Sequence, residues 1–452
     1  MSFEIKYNQE ELILPDIICD CGMKHMKPDM DIYIGNGILG NTVKYLKKRD
    51  YGKNVIVITD DIIYPVVGQK VEEMLIDAGY QVKLCKLERE EELLPDQTAI
   101  GEVLLTVDLD TDFMIAVGSG TINDITRYVA VNTELPFVSI GTAPSMDGYT
   151  SVIAPLIHGK LKVNKPAVSP QVLICDLEIM KEAPYQMLIA GFGDVVGKYI
   201  AIADWKLGKI INKEEYCPVT IDIVSQAVEK CINSVDGIIN RTDAGVRSII
   251  EALILAGITI LIIGQTRAVA SNEHNMGHYW EMMKLLRNEK PASHGIAVGV
   301  ATGYAIDFYN RFLQLNLDNI DPGKVKANRL TKSEWQEELL DKYGDKVGNL
   351  ILQNNPDEYL NWPEQLRRIN TIKNSFKEIK KQLDFMPSSV EIRSIYEKLD
   401  FPLQSEEIGI DQQLLHNALL YAKDYRDRYT VFKSANELGL LEDLVASVIE
   451  EY

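Results

Sequence analysis

Three of the six histidines stand close together in the chain: His274, His278 and His294. Ser271 or Asn272 is suited to cap the start of a helix, and a helix carries residues four apart, such as the first two histidines, on one face. Imidazoles gathered in this way suit a catalytic divalent metal, which takes two or three protein ligands and keeps a position open. The alternative is a group of core or capping histidines that bind no metal.

A carboxylate that could complete such a metal site stands at Asp194, in the apolar part of a predicted long helix. Gly191 and Gly193 precede it, and each glycine costs a helix interior about 1 kcal/mol relative to alanine. We therefore expect close packing or a ligand at this point of the helix. An unpaired carboxylate on the apolar side is costly, and a cation would compensate it. Asp194, His274 and His294 together predict a site of one carboxylate and two histidines.

A glycine-containing turn joins a predicted strand to a predicted helix, and we call it the phosphate turn. It consists of Gly118, Ser119, Gly120, Thr121 and Ile122. Glycines let the backbone approach a ligand closely, and the helix start offers free N–H groups and a positive dipole end that suit a pyrophosphate. The turn lacks the G-x-G-x-x-G fingerprint and follows a late strand, which departs from the ordinary Rossmann plan. A purely conformational role for the glycines is the alternative.

Two further candidates stand at the carboxyl ends of predicted strands. Asp147 lies in a polar loop, residues 141–151, and is the candidate substrate contact; a turn-forming Asp-Gly pair is the alternative. Asp60 closes the second predicted strand, where a carboxylate can accept hydrogen bonds from the adenosine ribose and repel a 2′-phosphate. A helix N-cap is the alternative role for Asp60. Because open α/β sheets bind ligands at this edge, we expect the loop and the phosphate turn to share one crevice.

Cys19, Cys21 and His25 form a second candidate metal site near the N-terminus. This segment supplies at most three ligands, and no second cysteine pair lies nearby. A reduced pair of cysteines on a loop is the alternative.

The bulk properties exclude several classes of protein. The 452 residues carry a net charge of −19, which argues against a nucleic-acid or anionic-membrane surface but leaves room for a small anionic ligand. Scattered cysteines and an N-terminus without an apolar signal core argue against a secreted disulfide framework. The longest apolar run, residues 252–264, is too short to span a bilayer and predicts a buried helix. We expect a cytoplasmic enzyme.

The order of the apolar segments predicts the fold class. Strand and helix patterns alternate from residue 31, and near-continuous apolar strands of this kind form parallel βαβ units with both sheet faces covered. The strand patterns cover residues 31–37, 54–61, 81–87, 112–118, 137–140 and 171–177, and residues 151–164 predict a hairpin that turns at His158 and Gly159.

Helical patterns follow residue 184 to the end of the chain, without another strand pattern of comparable strength. The sequence therefore predicts an α/β domain with a parallel Rossmann-like sheet over residues 1–180, which binds a dinucleotide. An all-helical domain over residues 181–452 is predicted to bind metal and substrate.

Several motifs in this order resemble one superfamily. The phosphate turn at the fourth strand, the TAPSMDG loop, the GFGD helix, EHNMGH and PASHG are similar to the dehydroquinate-synthase-like and metal-dependent alcohol dehydrogenase superfamily. The chain resembles in particular the bacterial branch of the glycerol-1-phosphate dehydrogenase family, from about residue 19 to the C-terminus, including the CDCG and RDRYT segments. Most of the superfamily has a third glycine where Ser119 stands in the phosphate turn.

The resemblance implies roles for individual residues. It implies a divalent metal held by Asp194, His274 and His294, with substrate contacts from His278 and Asp147. The residues implied to hold the dinucleotide are Gly118, Ser119, Gly120, Thr121, Ile122, Thr142, Ala143, Pro144, Ser145 and Ser151.

The implied reaction is the reversible oxidation of sn-glycerol 1-phosphate by NAD(P)⁺ to dihydroxyacetone phosphate, with Zn²⁺, Ni²⁺ or Fe²⁺ as Lewis acid. His278 is predicted to shuttle the hydroxyl proton, with a role as a metal ligand as the alternative. A dehydrogenase of glycerol or another small polyol and a dehydroquinate-synthase-like lyase are alternatives of the same fold. A catalytically silent nucleotide-binding protein is the alternative of another class. We expect a homodimer that acts on a small phosphorylated substrate.

Overall fold

The structure is a computed structural model that describes residues 6–14, 17–90, 92–159 and 161–452. Within these residues the strands form one eight-stranded sheet and one two-stranded hairpin. The strands are β1 (Lys6–Asn8), β2 (Glu11–Ile13), β3 (Asp31–Gly35), β4 (Asn54–Asp60), β5 (Gln81–Leu87), β6 (Phe113–Gly118), β7 (Phe137–Gly141), β8 (Ile153–His158), β9 (Leu161–Pro166) and β10 (Val172–Asp176).

The large sheet has the strand order β1-β2-β3-β10-β7-β6-β4-β5. All neighbours from β3 to β5 run parallel, as the apolar strand patterns predicted. Strand β4 pairs with β5 on one side and with β6 on the other, so the strand order reverses between β4 and β6. Ligands of open α/β sheets bind outside the carboxyl ends of the strands at such a reversal.

The edge beyond β3 was not predicted. Strands β1 and β2 pair antiparallel with each other, and β2 pairs antiparallel with β3. The sheet is therefore mostly rather than wholly parallel. Each of the two strands has only three residues. A strand of that length is too short for an alternation of apolar and polar residues to be recognised in the sequence.

The helices alternate with the parallel strands and follow one another after β10. They are α1 (Thr42–Leu46), α2 (Gln69–Asp77), α3 (Gln97–Thr106), α4 (Gly120–Thr133), α5 (Leu177–Glu182), α6 (Tyr185–Asn212), α7 (Pro218–Ile232), α8 (Val235–Ile239), α9 (Asp243–Ile263), α10 (Asn272–Leu286), α11 (His294–Gln314), α12 (Pro322–Asn328), α13 (Lys332–Asn354), α14 (Trp362–Gln382), α15 (Ser389–Lys398), α16 (Gln412–Tyr421), α17 (Val431–Glu437) and α18 (Leu441–Ile449).

Both faces of the parallel sheet are covered by helices. Side chains alternate along β4, so that Val55 and Val57 join one apolar core while Ile56 and Ile58 join the other. Helices α1 and α2 supply the first core, and α3 and α4 supply the second. Full burial of one such aliphatic side chain contributes about 1.5–3 kcal/mol, so the two cores hold the strands that carry the candidate site.

The chain divides into two compact units that differ from the predicted domains. The first unit comprises residues 1–20, 24–195 and 219–266, and the second comprises residues 21–23, 196–218 and 267–452. The last described strand ends at Asp176, near the predicted change at residue 180. However, α7, α8 and α9 pack within the unit that contains the sheet, so the boundary near 180 marks the end of the sheet and not the edge of that unit.

Two helices are long and apolar enough to cross a membrane, α6 and α9. The predicted apolar run, residues 252–264, is only the second half of α9, which has 21 residues. Within the structure nearly the whole of α9 is buried inside the protein, as expected for a core helix. It packs on the loop that follows β7, and the Thr150 hydroxyl donates to the Ile254 carbonyl at 3.0 Å.

Candidate functional site

The phosphate turn and the loop after β7 leave the sheet side by side. Gly118 at the end of β6 is paired with Gly141 at the end of β7, and the Thr142 N–H donates to the Gly118 carbonyl at 3.2 Å. Strand β4 is the other parallel neighbour of β6, so Asp60 ends at the same edge. The first unit therefore brings Asp60, the phosphate turn and the loop together where the strand order reverses.

Close packing explains the glycines of the phosphate turn. A Cβ on Gly118 would meet the Ile122 side chain at 2.7 Å, and one on Gly120 would meet Met146 at 2.7 Å. Ser119 is the N-cap residue of α4, and its side chain makes no capping hydrogen bond. The first N–H groups of α4 have no intrahelical partner, which is the arrangement that receives an anion.

Two buried polar side chains beside the phosphate turn support a ligand between the loops. Asn123 and Thr142 are buried, and within the described part of the chain neither side chain has a hydrogen-bond partner. Buried polar atoms are rarely left unpaired in proteins. The polar groups of a dinucleotide, or water, can complete them.

A buried arginine that the sequence analysis missed holds the loop after β7 in place. The Arg127 guanidinium donates to the carbonyls of Ser151 and Ile153, both at 3.1 Å, and to that of Gly148. Its Nε lies 3.5 Å from Asp124 Oδ1. Burial lowers the pKa of Arg127 and raises the pKa of Asp124 to about 7, against the attraction between the two side chains. An arginine in a helix after a glycine turn carries no sequence signal for this role.

Ser151 is engaged in its own turn. Its hydroxyl accepts the Ile153 N–H at 3.0 Å, in addition to the carbonyl contact with Arg127. The predicted contact of Ser151 with the cofactor remains a prediction, and the structure adds a conformational role.

Asp194 and Asp147 are linked within the first unit. Asp194 is fully buried on α6, and its Oδ2 accepts the Asp147 N–H at 3.0 Å. A Cβ on Gly191, one turn earlier, would collide with the Pro144 carbonyl, so this glycine allows α6 to approach the loop. Close packing is thus the reason for Gly191, one of the two explanations that the sequence allowed. The carboxylate of Asp194 is held by the loop that carries Asp147.

Asp60 binds the turn that follows β4 and is not the N-cap residue of the helical segment after it, which is Ile63. Its Oδ1 accepts the N–H groups of Ile62 and Ile63, at 3.0 and 2.7 Å. Burial raises the pKa of the Asp60 carboxyl, and the two N–H contacts oppose that rise. A contact with the adenosine ribose would therefore rest on Oδ2, and that role remains a prediction.

The second unit gathers the three histidines. The ring centroids of His274 and His294 lie 5.4 Å apart, those of His278 and His294 5.2 Å, and those of His274 and His278 6.3 Å. Helix α10 carries the first two rings on one face, and His294 is the first residue of α11. His274 and His278 are buried, whereas about a quarter of the His294 side chain, 27%, is exposed.

Two carboxylates that the sequence analysis missed hold the imidazoles. Glu273 Oε1 lies 2.6 Å from His274 Nδ1, while the two oxygens of Glu281 lie 3.2 Å from His278 Nδ1 and 3.0 Å from His294 Nδ1. An ionised carboxylate only accepts hydrogen bonds, so each Nδ1 donates and each Nε2 keeps its lone pair. Metal-binding histidines are usually held in this way by a carboxylate.

The start of α10 is anchored by a buried aspartate. Ser271 is the N-cap residue, as predicted, but its hydroxyl makes no capping bond and instead donates to Asp204 Oδ2 at 2.6 Å. Asp204 also accepts from the Val431 N–H at 2.8 Å and from the Tyr309 hydroxyl. The Ser271 N–H donates to Glu273 Oε1 at 2.9 Å. This network fixes the helix end that presents His274.

The donor set fits a divalent transition metal. Imidazole Nε2 atoms and a buried carboxylate are ligands that Zn²⁺, Fe²⁺ and Ni²⁺ accept. The spacing of Glu273 and Glu281 around the histidines was the available sequence signal: one precedes His274 directly, and the other follows His278 by one helical turn. Glu281, three residues after His278, lies on the same helix face as that imidazole, whereas helical spacing predicts no such contact for the adjacent pair Glu273 and His274.

Cys19, Cys21 and His25 lie in an irregular segment between β2 and β3, and each is half-buried. Their predicted alternatives, a small metal site or a reduced loop-borne pair, both remain predictions.

Comparison with known proteins places the fold. Residues 33–184 match the family model of the iron-containing alcohol dehydrogenases. A probable glycerol dehydrogenase from Sinorhizobium meliloti 1021 has a TM-score of 0.59 at 14% identity, covering 94% of this chain and 98% of that one. Glycerol dehydrogenase from Schizosaccharomyces pombe has a TM-score of 0.57 at 14% identity, covering 96% and 93%. The fold is that of the iron-containing alcohol dehydrogenases.

Relatives of higher identity define the family. Glycerol-1-phosphate dehydrogenase (NAD(P)+) from Geobacillus thermodenitrificans is 30% identical over 91% of this chain and 93% of its own length. The enzymes of the same name from Bacillus licheniformis and Geobacillus stearothermophilus are 30% and 29% identical, over 94% and 96% of this chain and 94% and 99% of their own lengths. The chain belongs to the glycerol-1-phosphate dehydrogenase family.

Proposed function

We propose that this protein interconverts sn-glycerol 1-phosphate and dihydroxyacetone phosphate with NAD(H) or NADP(H). Family membership supplies the reaction. The observation that carries the proposal is the histidine cluster of the second unit, in which the Nδ1 atoms of all three rings face carboxylate oxygens at 2.6–3.2 Å. Rings held in this way present three Nε2 lone pairs, as a catalytic metal site requires.

Asp194, His274 and His294 are the proposed metal ligands. A divalent ion bound there supplies Lewis-acid polarisation of the C2 oxygen of the substrate. Glu273 and Glu281 hold His274 and His294 in the tautomer that offers Nε2. The backbone N–H of Asp147 orients Asp194. We assign the ion to the group of Zn²⁺, Ni²⁺ and Fe²⁺, which accept imidazole together with carboxylate.

His278 is the proposed proton relay. Glu281 fixes its Nδ1, which leaves Nε2 to accept the proton of the C2 hydroxyl during oxidation and to return it during reduction. A shared carboxylate also stabilises the protonated ring. The hydride moves directly between C2 and the nicotinamide, so the protein positions the two and need not carry the hydride. Asp147 is the proposed substrate contact from the first unit.

The first unit is the proposed cofactor-binding unit. The phosphate turn receives the pyrophosphate at the start of α4, and Asp60 accepts from the adenosine ribose. The neighbouring contacts are assigned to Thr142, Ala143, Pro144, Ser145 and Ser151. Asn123 is added to this set because its buried side chain lacks a partner among the described residues.

We also propose that the enzyme works in the cytoplasm as a homodimer. The burial of α6 and α9 inside the protein supports the first statement. The second is an expectation from the family resemblance.

The stereochemistry of the product tests the proposed reaction. The purified enzyme is supplied with dihydroxyacetone phosphate and NADH, and the glycerol phosphate formed is treated with a dehydrogenase specific for sn-glycerol 3-phosphate. We expect a product that this second enzyme does not oxidise. A product that it oxidises completely would assign the opposite stereochemistry and contradict the proposal.

A further inference from the structure

Two arginines stand in the short segment that joins α16 to α17, Arg426 and Arg428. Both residues are only partly exposed. Burial lowers the pKa of each guanidinium, and Arg426 lowers that of Arg428 further because the two charges have the same sign. The segment thus holds two cations in an enclosed position that solvent still reaches.

The main chain of this segment is held from several sides. The Lys433 ammonium donates to the Arg426 carbonyl at 3.1 Å and pairs with Glu358 at 2.7 Å. Asn355 donates to the carbonyls of Asp424 and Tyr425, both at 3.2 Å. Side chains that bind successive carbonyls fix the backbone, so the two guanidinium groups start from a preorganised position.

The segment lies beside the histidine cluster, within the same unit. The ring centroids of Tyr425 and His278 are 5.9 Å apart, and the Arg426 guanidinium carbon lies 5.5 Å from the centroid of the Tyr425 ring. Arg428 Nη1 donates at 2.6 Å to the carbonyl of Ala270, which directly precedes the N-cap residue of α10. The segment therefore contacts both the start and the reactive face of the helix that carries the histidines.

The local charge is positive although the whole chain is strongly acidic. Arg267, the third arginine nearby, pairs with Glu214 at 3.0 Å. Within the described residues, no carboxylate lies within ion-pair distance of the Arg426 guanidinium. Glu273 acts on both segment arginines only at longer range, while its Oε1 binds the Ser271 N–H and His274. Glu214 also acts on Arg428, and it is paired with Arg267. The Arg426 guanidinium therefore remains the cation of this segment that has no carboxylate within ion-pair distance among the described residues.

We propose that Arg426, assisted by Arg428, binds the phosphate dianion of the substrate. The assignment rests on the proposed function, because it presumes a phosphorylated substrate. The phosphate is attached to the carbon next to the reacting carbon, so its receptor has to lie beside the histidine cluster. A planar guanidinium donates two parallel hydrogen bonds to a phosphate, and the anion removes the cost of an enclosed cation without an ion-pair partner.

An arginine with a purely structural role has its guanidinium bound to acceptors of the protein itself. Arg267 is structural: it binds the carbonyls of Asp204 and Tyr429 at 2.9 and 2.8 Å in addition to Glu214. Arg426 has no such carbonyl contact from its guanidinium among the described residues. Its Tyr425 neighbour offers only a ring face, which leaves the N–H donors for a ligand.

The test measures ligand binding to the metal-loaded enzyme with NAD⁺ bound, a complex in which the ketone cannot be reduced. Dihydroxyacetone phosphate is titrated calorimetrically into wild type, Arg426→Gln and Arg426→Lys, and inorganic phosphate serves as the second probe. We expect the Kd of both ligands to rise roughly 10- to 100-fold in Arg426→Gln and less in Arg426→Lys. NADH affinity and metal content should stay unchanged. Arg287→Gln, which removes an exposed arginine paired with Asp411, is the matched control.

Each outcome decides the assignment. A Kd for dihydroxyacetone phosphate within twofold of wild type in a folded Arg426→Gln enzyme would overturn it. If the glutamine variant loses its metal or its thermal transition, the lysine variant decides, and an unchanged Kd there overturns the assignment equally. Failure of the proposed reaction would be distinguishable from failure of the arginine assignment, because the wild-type enzyme itself would then oxidise no NADH with dihydroxyacetone phosphate.

Discussion

Glu281 is the residue through which the histidines act together. Its two oxygens face the Nδ1 atoms of His278 and His294, so one carboxylate sets the tautomer of a proposed proton relay and of a proposed metal ligand. His274 has its own carboxylate, Glu273. The carboxylate partner therefore does not distinguish the proposed relay from the proposed metal ligands, and substitution of single histidines has to separate the two roles.

His278→Ala should keep the metal and lose turnover. If His278 relays a proton without binding the metal, the variant retains its metal and cofactor, while kcat falls roughly 10²- to 10⁴-fold, the usual contribution of general acid–base catalysis. One limb of the pH profile should disappear with it. The measurement is metal content by elemental analysis alongside kcat on the same preparation.

The exposed His416 supplies the control, since His416→Ala removes an imidazole from the surface of α16. Loss of metal from His278→Ala would make His278 a ligand. Near-normal turnover would make it a structural residue of α10.

Asp60 should set the choice of cofactor. A carboxylate beside the ribose repels a 2′-phosphate, so we expect a higher kcat/KM with NADH than with NADPH. Asp60→Asn removes the charge and keeps an acceptor for the two N–H groups that it binds, and it should narrow the difference, as should Asp60→Ala. Asp61→Asn, at the exposed neighbour, is the control. A wild-type preference for NADPH would refute this role.

Asp124 should make the stability of the protein depend on pH. Its pKa in the folded protein, about 7, lies above the ordinary value of 3.8, so the folded state binds the extra proton. The stabilising contribution is complete below about pH 4 and is lost as the pH rises through about 7. Arg127, Lys162 and Asp147 are the charged side chains that act on it, and burial outweighs them.

Comparison of melting temperatures checks this dependence. The Tm of Asp124→Asn relative to wild type should rise between pH 5 and pH 8, because the variant has no buried charge to form. Asp77→Asn, an exposed position in the same unit, should show no such trend. A difference between Asp124→Asn and wild type that stays constant or shrinks over this range would contradict the assigned pKa.

Among the secondary-structure elements, the sequence predicted those strands and helices whose apolar pattern extends over many residues. The six parallel strands, the hairpin β8–β9 and the helical region after residue 184 agree with the prediction, because burial of two sheet faces or of a whole helix imposes a pattern many residues long. The strands β1 and β2 were missed because a strand of three residues is too short to show a period. The allocation of α7 to α9 to the first unit depends on tertiary packing, which no local pattern records.

The candidate site was predictable only in part from the sequence. Histidines and glycine turns stand out by type and spacing, whereas Arg127, Glu273 and Glu281 are common residues in helices and reveal their roles only through their partners. Arg426 was overlooked for a further reason. It stands more than 100 residues after His294 in a region of mixed polar helices, and only the fold returns it to the histidine cluster.

Helices α13 and α17 should matter for substrate affinity through the segment they hold. Asn355→Leu removes the donors to two carbonyls of the arginine segment, and a buried carbonyl left unpaired costs about 1–3 kcal/mol. We expect a lower Tm and a higher KM for dihydroxyacetone phosphate, with kcat changed far less. Steady-state kinetics with a melting curve provides both values.

The control for this variant is Asn349→Leu on α13, whose side chain binds a carbonyl of its own helix at the surface. A change in Tm without any change in KM would limit Asn355 to a structural role. An equal loss in kcat would show that the segment acts on the chemical step.

For the molecule as a whole, the strongly negative net charge contrasts with the positively charged arginines near the histidine cluster. A chain with a net charge of −19 repels small anions at long range, yet the second unit places the Arg426 guanidinium near the histidine cluster, through the Tyr425 ring. Binding of a phosphorylated substrate therefore depends on local contacts and should weaken less with added salt than binding to an exposed basic surface. In the first unit, the start of α4 is the proposed anion site for the cofactor.

The most direct measurement follows NADH absorbance at 340 nm with dihydroxyacetone phosphate and, separately, with dihydroxyacetone. The account predicts NADH oxidation with the phosphorylated ketone and none with the unphosphorylated one. It also predicts that chelation abolishes this activity and that a divalent transition metal restores it. Full activity in enzyme shown to be metal-free by elemental analysis, or equal turnover of the two ketones, would contradict the account.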